Sequence, residues 1–293
     1  MNELFLNEMS LEGQFDTIDE FLDACIPFFK CMNFINKENE GLNERKWELL
    51  KHSQLYERYI TKEFKFNDIR GMKGDKIRKL KSVLLKTLDS PPFWDVDFSK
   101  FAQDSNKRYC FKEIDISMSS LSEAAERNGQ VISFCNDKYI DCNILVSNGE
   151  KFFTVISSVN IKHLLKSLWN DKKIDVYTFL KLYFDESRLD FSKFEKKYGF
   201  DEFELSEVNE CFEAFELMDE LESWDDIYIH NALHYKAYSP SSKKTNWFAD
   251  TQYEKKHIDK FRCGNPKRCF GYKEGEKFYV LRMERDHKVS DNG

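Results

Sequence analysis

The dipeptide Asn148-Gly149 sets the tightest local constraint in this sequence. It lies between two apolar extended runs, Ile144 to Ser147 and Lys151 to Ile156. Both residues accept positive φ, so the pair favours a tight type I′ turn, and the runs on either side are expected to pair as an antiparallel hairpin. The surrounding pattern fits a sheet with helices packed on it. Ser120 and Glu123 form a capping box for a short helix, Leu121 to Asn128, with Gly129 as its C-cap. Gln130 to Phe134 reads as a strand, and Ile161, Leu164, Leu165, Leu168 and Trp169 fall at helical spacing. A further helical stretch follows from Val176 to Phe184. Residues 107–198 are therefore expected to form a small α+β unit.

The stretch before it reads as helical. Thr17 and Glu20 can cap a helix running to Lys30, which Pro27 should end or kink. Trp47, Leu50, Leu55, Tyr59 and Ile60 suggest a second helix over 42–61. Ile77, Leu80, Val83, Leu84 and Leu88 suggest a third over 75–88, with Lys73, Lys76, Arg78, Lys79, Lys81 and Lys86 on its outer face. Ser90-Pro91-Pro92 closes this region, so residues 1–106 are expected to be a helical domain. Residues 199–293 then hold an acidic amphipathic helix over 202–221, a strand within 224–238, a loop at 239–244 and a basic β module. The acidic helix either packs on that module or covers its charge. The fold class expected is α+β: a helical N-terminal domain, a small α+β middle unit and a C-terminal antiparallel sheet.

Composition narrows the classes of function. Hydrophobic residues make up 41% of 293, with 27 Phe and only 5 Pro, enough for real cores and few linkers. No apolar run is long enough to span a bilayer, and the acidic N-terminus does not read as a signal peptide. Eight scattered cysteines without a CxxC pair suggest reduced thiols, and the chain is expected to be cytoplasmic. From His230 onward there are 14 basic and 8 acidic residues, +6, against 31 basic and 44 acidic in the remainder, −13. A basic end on an acidic body can mark polyanion binding.

The residues best suited to phosphate chemistry lie in the last stretch, His257 to Asp291. It reads as three strands, HIDKFRC, KRCFGY and KFYVLRMER, with a turn at Lys273 to Glu276. With side chains alternating, Lys260 and Arg262 share one face of the first strand. Arg268, Phe270 and Tyr272 share one of the second. On the third, Phe278, Val280, Arg282 and Glu284 lie opposite Tyr279, Leu281, Met283 and Arg285. Cations and rings on one open face would grip RNA, with His287 and Lys288 at the mouth. Cleavage by the RNA's own 2′-hydroxyl needs a base, an acid and a cation, which His and Arg or Lys can supply without a metal.

At these residues the chain resembles the RelE/ParE/HigB superfamily of bacterial toxins. The resemblance is carried by Lys260-Phe261-Arg262, Arg268-Cys269-Phe270-Gly271-Tyr272, Phe278 to Met283, and His287-Lys288. RelE-like members cleave mRNA, often on the ribosome, whereas ParE-like relatives use the same sheet without being nucleases. The resemblance implies a metal-independent endoribonuclease of toxin or phage-defence type, with His287, Arg268 and Arg282 as catalytic residues. Lys260, Arg262, Lys267, Tyr272 and Lys288 would bind RNA. No cofactor is expected; RNA or the ribosome and an inhibitory or defence-system protein are the expected partners, and no membrane is. The alternative is a non-catalytic subunit that binds nucleic acid or protein. Weaker candidates are a zinc site from His230, His234, Cys263 or Cys269, and a magnesium site from Asp225-Asp226 or Glu284 and Asp286. The Gly71 to Lys76 stretch lacks phosphate-loop spacing.

Overall fold

The structure is a computed structural model describing residues 1–289, apart from the side chains of Asp75, Lys76, Lys79 and Phe98. Ser290 and Asp291, the end of the stretch singled out above, lie outside the described residues, as do the side chains of Lys76 and Lys79 on the basic helix face. The protein is mixed α/β, with two mixed sheets, and it divides into two compact units, Met1–Lys173 and Ile174–Gly293. No helix among the described residues is long and apolar enough to cross a membrane.

The first unit is built around a seven-stranded sheet. Its elements are β1 (Asn2–Asn7), α1 (Ile18–Ala24), α2 (Ile26–Asn39), β2 (Trp47–Leu50), α3 (Asp75–Asp89), β3 (Cys110–Phe111), β4 (Ile114–Asp115), α4 (Ser120–Glu126), β5 (Gln130–Ser133), β6 (Cys142–Ser147), β7 (Phe152–Ser158) and α5 (Ile161–Asn170). The strand order is β2-β1-β5-β7-β6-β3-β4. β1 runs parallel to both β2 and β5, and β5 runs parallel to β7. The stretch expected to be a helical domain thus supplies two strands to the same sheet as the hairpin. The helix expected over 42–61 is replaced by β2 and a 3₁₀ turn at Ser53–Glu57. Trp47, Leu49 and Leu50 are all buried. A parallel strand covered on both faces carries no alternation and imitates a helical stripe. The helix expected to run to Lys30 is broken where Pro27 was expected to end or kink it: α1 stops at Ala24 and α2 begins at Ile26, with Pro27 in its first turn, where a missing N–H costs nothing.

The hairpin forms, but with a longer loop than expected. Ser147 pairs with Phe152, and Asn148 Oδ1 accepts hydrogen bonds from the Glu150 and Lys151 N–H groups at 3.2 and 2.9 Å. Only Gly149 of the two takes positive φ, 85°. At the end of α4 the left-handed residue is Asn128, φ 51°, rather than Gly129. Gly129 instead leaves room for the Phe5 ring, 2.9 Å from where a Cβ would stand.

The second unit contains α6 (Val176–Tyr183), β8 (Leu189–Asp190), α7 (Leu205–Glu220), α8 (Trp224–Ile229), β9 (Lys236–Ala237), β10 (Asp259–Arg262), β11 (Arg268–Glu274) and β12 (Lys277–Glu284). The sheet order is β8-β12-β11-β10-β9. β8 is parallel to β12 and the remaining pairs are antiparallel, so the sheet is mixed rather than antiparallel throughout. Both faces are covered. Phe261 meets Phe215 of α7 and Phe278, with centroids 6.0 and 5.4 Å apart. On the other face Tyr238, Phe248, Tyr253 and Ile258 pack on Phe270, Tyr272 and Leu281. The acidic helix α7 packs on the sheet, the first of the two roles expected for it, and also meets two of its cations. It buries Val208, Cys211, Phe212, Phe215 and Met218, while Glu210 pairs with Lys267 at 2.8 Å and Glu207 with Arg285 at 2.9 Å.

Candidate nucleic-acid interface

A β-bulge decides where the charges of the C-terminal sheet go. Phe270 pairs with Arg282, whereas Gly271 pairs with Val280, leaving Leu281 as the extra residue. Beyond it the alternation is inverted, so Val280 and Arg282 lie on opposite faces rather than on one. Gly271 makes this possible: a Cβ there would stand 2.6 Å from the Phe278 ring. Lys260, Phe270 and Arg282 line up across three strands on the face covered by residues 238–258.

The open, cation-lined face is therefore not present. Arg282 is 1% exposed; its guanidinium pairs with Glu195, donates to the Trp247 carbonyl, and lies 4.2 and 4.4 Å from the Tyr198 and Phe248 ring centres. Lys260, 1% exposed, lies against Tyr238. Lys267 is buried on Glu210. Arg268, also buried, donates to the Pro266 and Lys267 carbonyls at 2.9 and 2.8 Å. Tyr272 is buried, its hydroxyl hydrogen-bonded to Lys193 Nζ at 2.6 Å. Arg262 is half-buried. The correction has one physical cause: a sheet between two covers can keep cations only as internal partners of carboxylates, carbonyls and rings.

His287 and Lys288 follow β12, apart from Arg282. His287 has φ 64°, and Lys288 is exposed and pairs with Asp286. The neighbouring cleft is lined by Asp201, Glu202, Glu207, Glu284 and Asp286 against Lys197 and Arg285. Such a lining repels phosphate. Among the described residues no group of three or more His, Cys, Asp or Glu side chains can hold a metal ion. Cys211, Cys263 and Cys269 are instead buried thiols, raised in pKa, for Cys263 and Cys269 chiefly by burial and for Cys211 first by its hydrogen bond to Cys263.

A different cleft, of about 450 Å³, opens at the β9 edge of the sheet. Tyr228 from α8, Tyr235, Lys236 of β9, His257 and Asp259 at the start of β10, and Lys273 near the end of β11 surround it. Tyr228 and Tyr235 stand 5.3 Å apart, and Lys273 Nζ lies 4.8 Å from the Trp224 ring centre. Among the described residues one carboxylate lines the cleft, and it is already engaged. Asp259, 7% exposed, accepts from the Tyr235 hydroxyl at 2.8 Å and lies 3.3 Å from His257 Nε2. Burial first, then Asp259, holds the Tyr235 hydroxyl well above its usual pKa, so it stays a donor. What remains facing solvent is Lys236, Lys273, His257 and a tyrosine wall. Sequence reasoning singled out His257 to Asp291 and did not name Tyr228, Tyr235, Lys236 or Lys273 as part of a cleft, because an edge depends on which strand comes last in the sheet. The signal was the aromatic series Trp224, Tyr228, Tyr235 followed directly by Lys236.

Compared with known proteins, the chain matches no family model, no curated protein and no solved structure at a significant level.

Proposed function

We propose that the C-terminal unit binds single-stranded RNA in the cleft at the β9 edge, as a binding module rather than through the chemistry of a RelE-like nuclease. The observation that carries this reading is the grouping of Lys236, Lys273 and His257 with the Tyr228 and Tyr235 rings around one cleft, whose lining carboxylate, Asp259, is buried and accepts the Tyr235 hydroxyl. Lysines offer phosphate contacts and tyrosines offer stacking faces, the combination that holds single strands with little sequence preference. The burial of Arg268 and Arg282 argues against the catalytic roles that the toxin resemblance implies for them. One observation favours a second reading, cleavage: His257 is oriented by Asp259, as a general base is by a carboxylate.

The test is fluorescence anisotropy of a labelled RNA oligomer on the full chain. Affinity is expected to fall with salt at a log–log slope of about −1.4, as for two lysine–phosphate contacts on a single strand. Lys273→Glu is expected to weaken binding about tenfold or more, and Tyr228→Ala by a similar factor. Unchanged affinity in Lys273→Glu sinks the proposal. A gel of the same RNA decides between readings: cut RNA that stays intact with His257→Ala means turnover, and intact RNA throughout means binding alone.

A further inference from the structure

The register of β9 settles which of its main-chain groups are used. Lys236 pairs with Lys260 and Ala237 with Asp259, and the Tyr238 N–H donates to the Ile258 carbonyl at 2.8 Å. In an antiparallel ladder, pairs that exchange both hydrogen bonds alternate with pairs that exchange none. The bond from Tyr238 puts Ala237 and Asp259 in the second class. The N–H and C=O of Ala237 therefore point away from β10. β9 is the last strand of its sheet, so the two groups face the open edge.

Ala237 is exposed, and it lines the same cleft as Lys236, Lys273 and the Tyr228 and Tyr235 rings. The Tyr235 ring is fixed relative to this edge. Its hydroxyl is bonded to Asp259, the residue directly across from Ala237, and its ring lies parallel to that of Phe261, the planes 9° apart. Tyr228, 46% exposed, keeps ring surface open to a guest.

A main-chain N–H beside a C=O is matched by an acceptor beside a donor. A phosphodiester has acceptors only and an ammonium has donors only, so neither complements the pair. The edge of an unpaired base does: adenine sets N1 beside N6–H, and uracil sets O4 beside N3–H. An extended peptide carries the same groups, but β9 is two residues long, a short ladder for an added strand of about five or six.

We infer that the cleft reads the Watson–Crick edge of an unpaired base against the Ala237 main chain, with the base stacked on Tyr228 and the flanking phosphates on Lys236 and Lys273. The assignment rests on the RNA-binding reading above and names the group that site recognises. All four bases carry a donor beside an acceptor on this edge, so any of them is accepted. A base already paired in a duplex has no such edge to offer.

The experiment is fluorescence anisotropy on the full chain with two labelled oligomers, an oligouridylate and the same length of 3-methyluridine. The methyl group removes the N3–H donor and leaves the phosphates and the stacking face in place. Oligouridylate is expected to bind about tenfold tighter, the worth of a hydrogen bond lost with its partner left unmet. Ala237→Pro deletes the N–H without touching the β9–β10 ladder, because a proline is tolerated where its nitrogen faces the open side of an edge strand. With its thermal unfolding unchanged, this variant is expected to bind oligouridylate about tenfold more weakly. Equal affinity for the two oligomers overturns the inference, and leaves RNA binding standing if Lys273→Glu still weakens both. Full affinity in a folded Ala237→Pro overturns it as well. Should that variant not fold, the two oligomers on the wild type decide alone. No binding of either oligomer removes the RNA reading and this one with it.

Discussion

In the C-terminal unit a buried guanidinium is closed on every side, Arg282 being held by Glu195, the Trp247 carbonyl and the Tyr198, Trp247 and Phe248 rings. In the N-terminal unit a carboxylate just as deeply buried, Glu8, keeps one oxygen unpartnered, and the Tyr139 hydroxyl keeps none of its bonds. The two cases look alike in sequence, as polar residues within or next to apolar strands. They differ in what surrounds them. A buried charge whose hydrogen-bonding capacity is used up is a structural part, and removing it should cost stability. A buried polar atom left over, such as the Tyr139 hydroxyl, should cost little to remove, because it makes no hydrogen bond within the fold.

That contrast sets the size of each expected effect. Arg282→Ala should be the most severe, since it strands Glu195 and empties an aromatic box. A loss of about 3–5 kcal/mol in urea unfolding is expected, and a change below 1 kcal/mol would mean the residue is not the internal partner described. Lys51 sharpens the comparison from the other unit. Its side chain is 5% exposed, and burial pulls its pKa down to about 8. Below that pH the folded state must hold a buried ammonium, while between about 8 and the unfolded value the unfolded chain binds the extra proton. Lys51→Met should therefore be more stable than the wild type by about 1–3 kcal/mol at pH 7, with the advantage shrinking toward pH 10. An advantage that grows with pH would reverse the sign of the argument. Tyr139→Phe should have the smallest effect, a gain of about 1 kcal/mol from removing a hydroxyl without a partner. A marked loss in thermal unfolding would show that the hydroxyl is already bonded within the fold.

What the sequence made legible was local. The Thr17 cap forms, with Thr17 Oγ1 accepting the Glu20 N–H at 3.1 Å, and the apolar stripe of 161–169 becomes α5 with its buried Leu164, Leu165 and Leu168. The turn after β11 falls where Gly275 marked it, at φ 62°. What was not legible was set by distant neighbours. Asn2–Asn7 becomes a central strand only because Trp47–Leu50 and Gln130–Ser133 flank it. The face of Arg282 depends on one extra residue in β12, which a strict two-residue period cannot reveal. The site suffered the same way: the basic residues are where they were counted, but their exposure depends on the turns at 238–258 that lie over them.

The place of β1 also bears on how the protein is made. β1 leaves the ribosome before either of its partners, at residues 47–50 and 130–133. The nascent chain must hold this apolar segment unpaired until both partners have emerged, a delay of seconds at ordinary translation rates. β1 thus pairs late although it is synthesised before its partners, and during that interval Leu4, Phe5 and Leu6 form a chaperone-accessible segment.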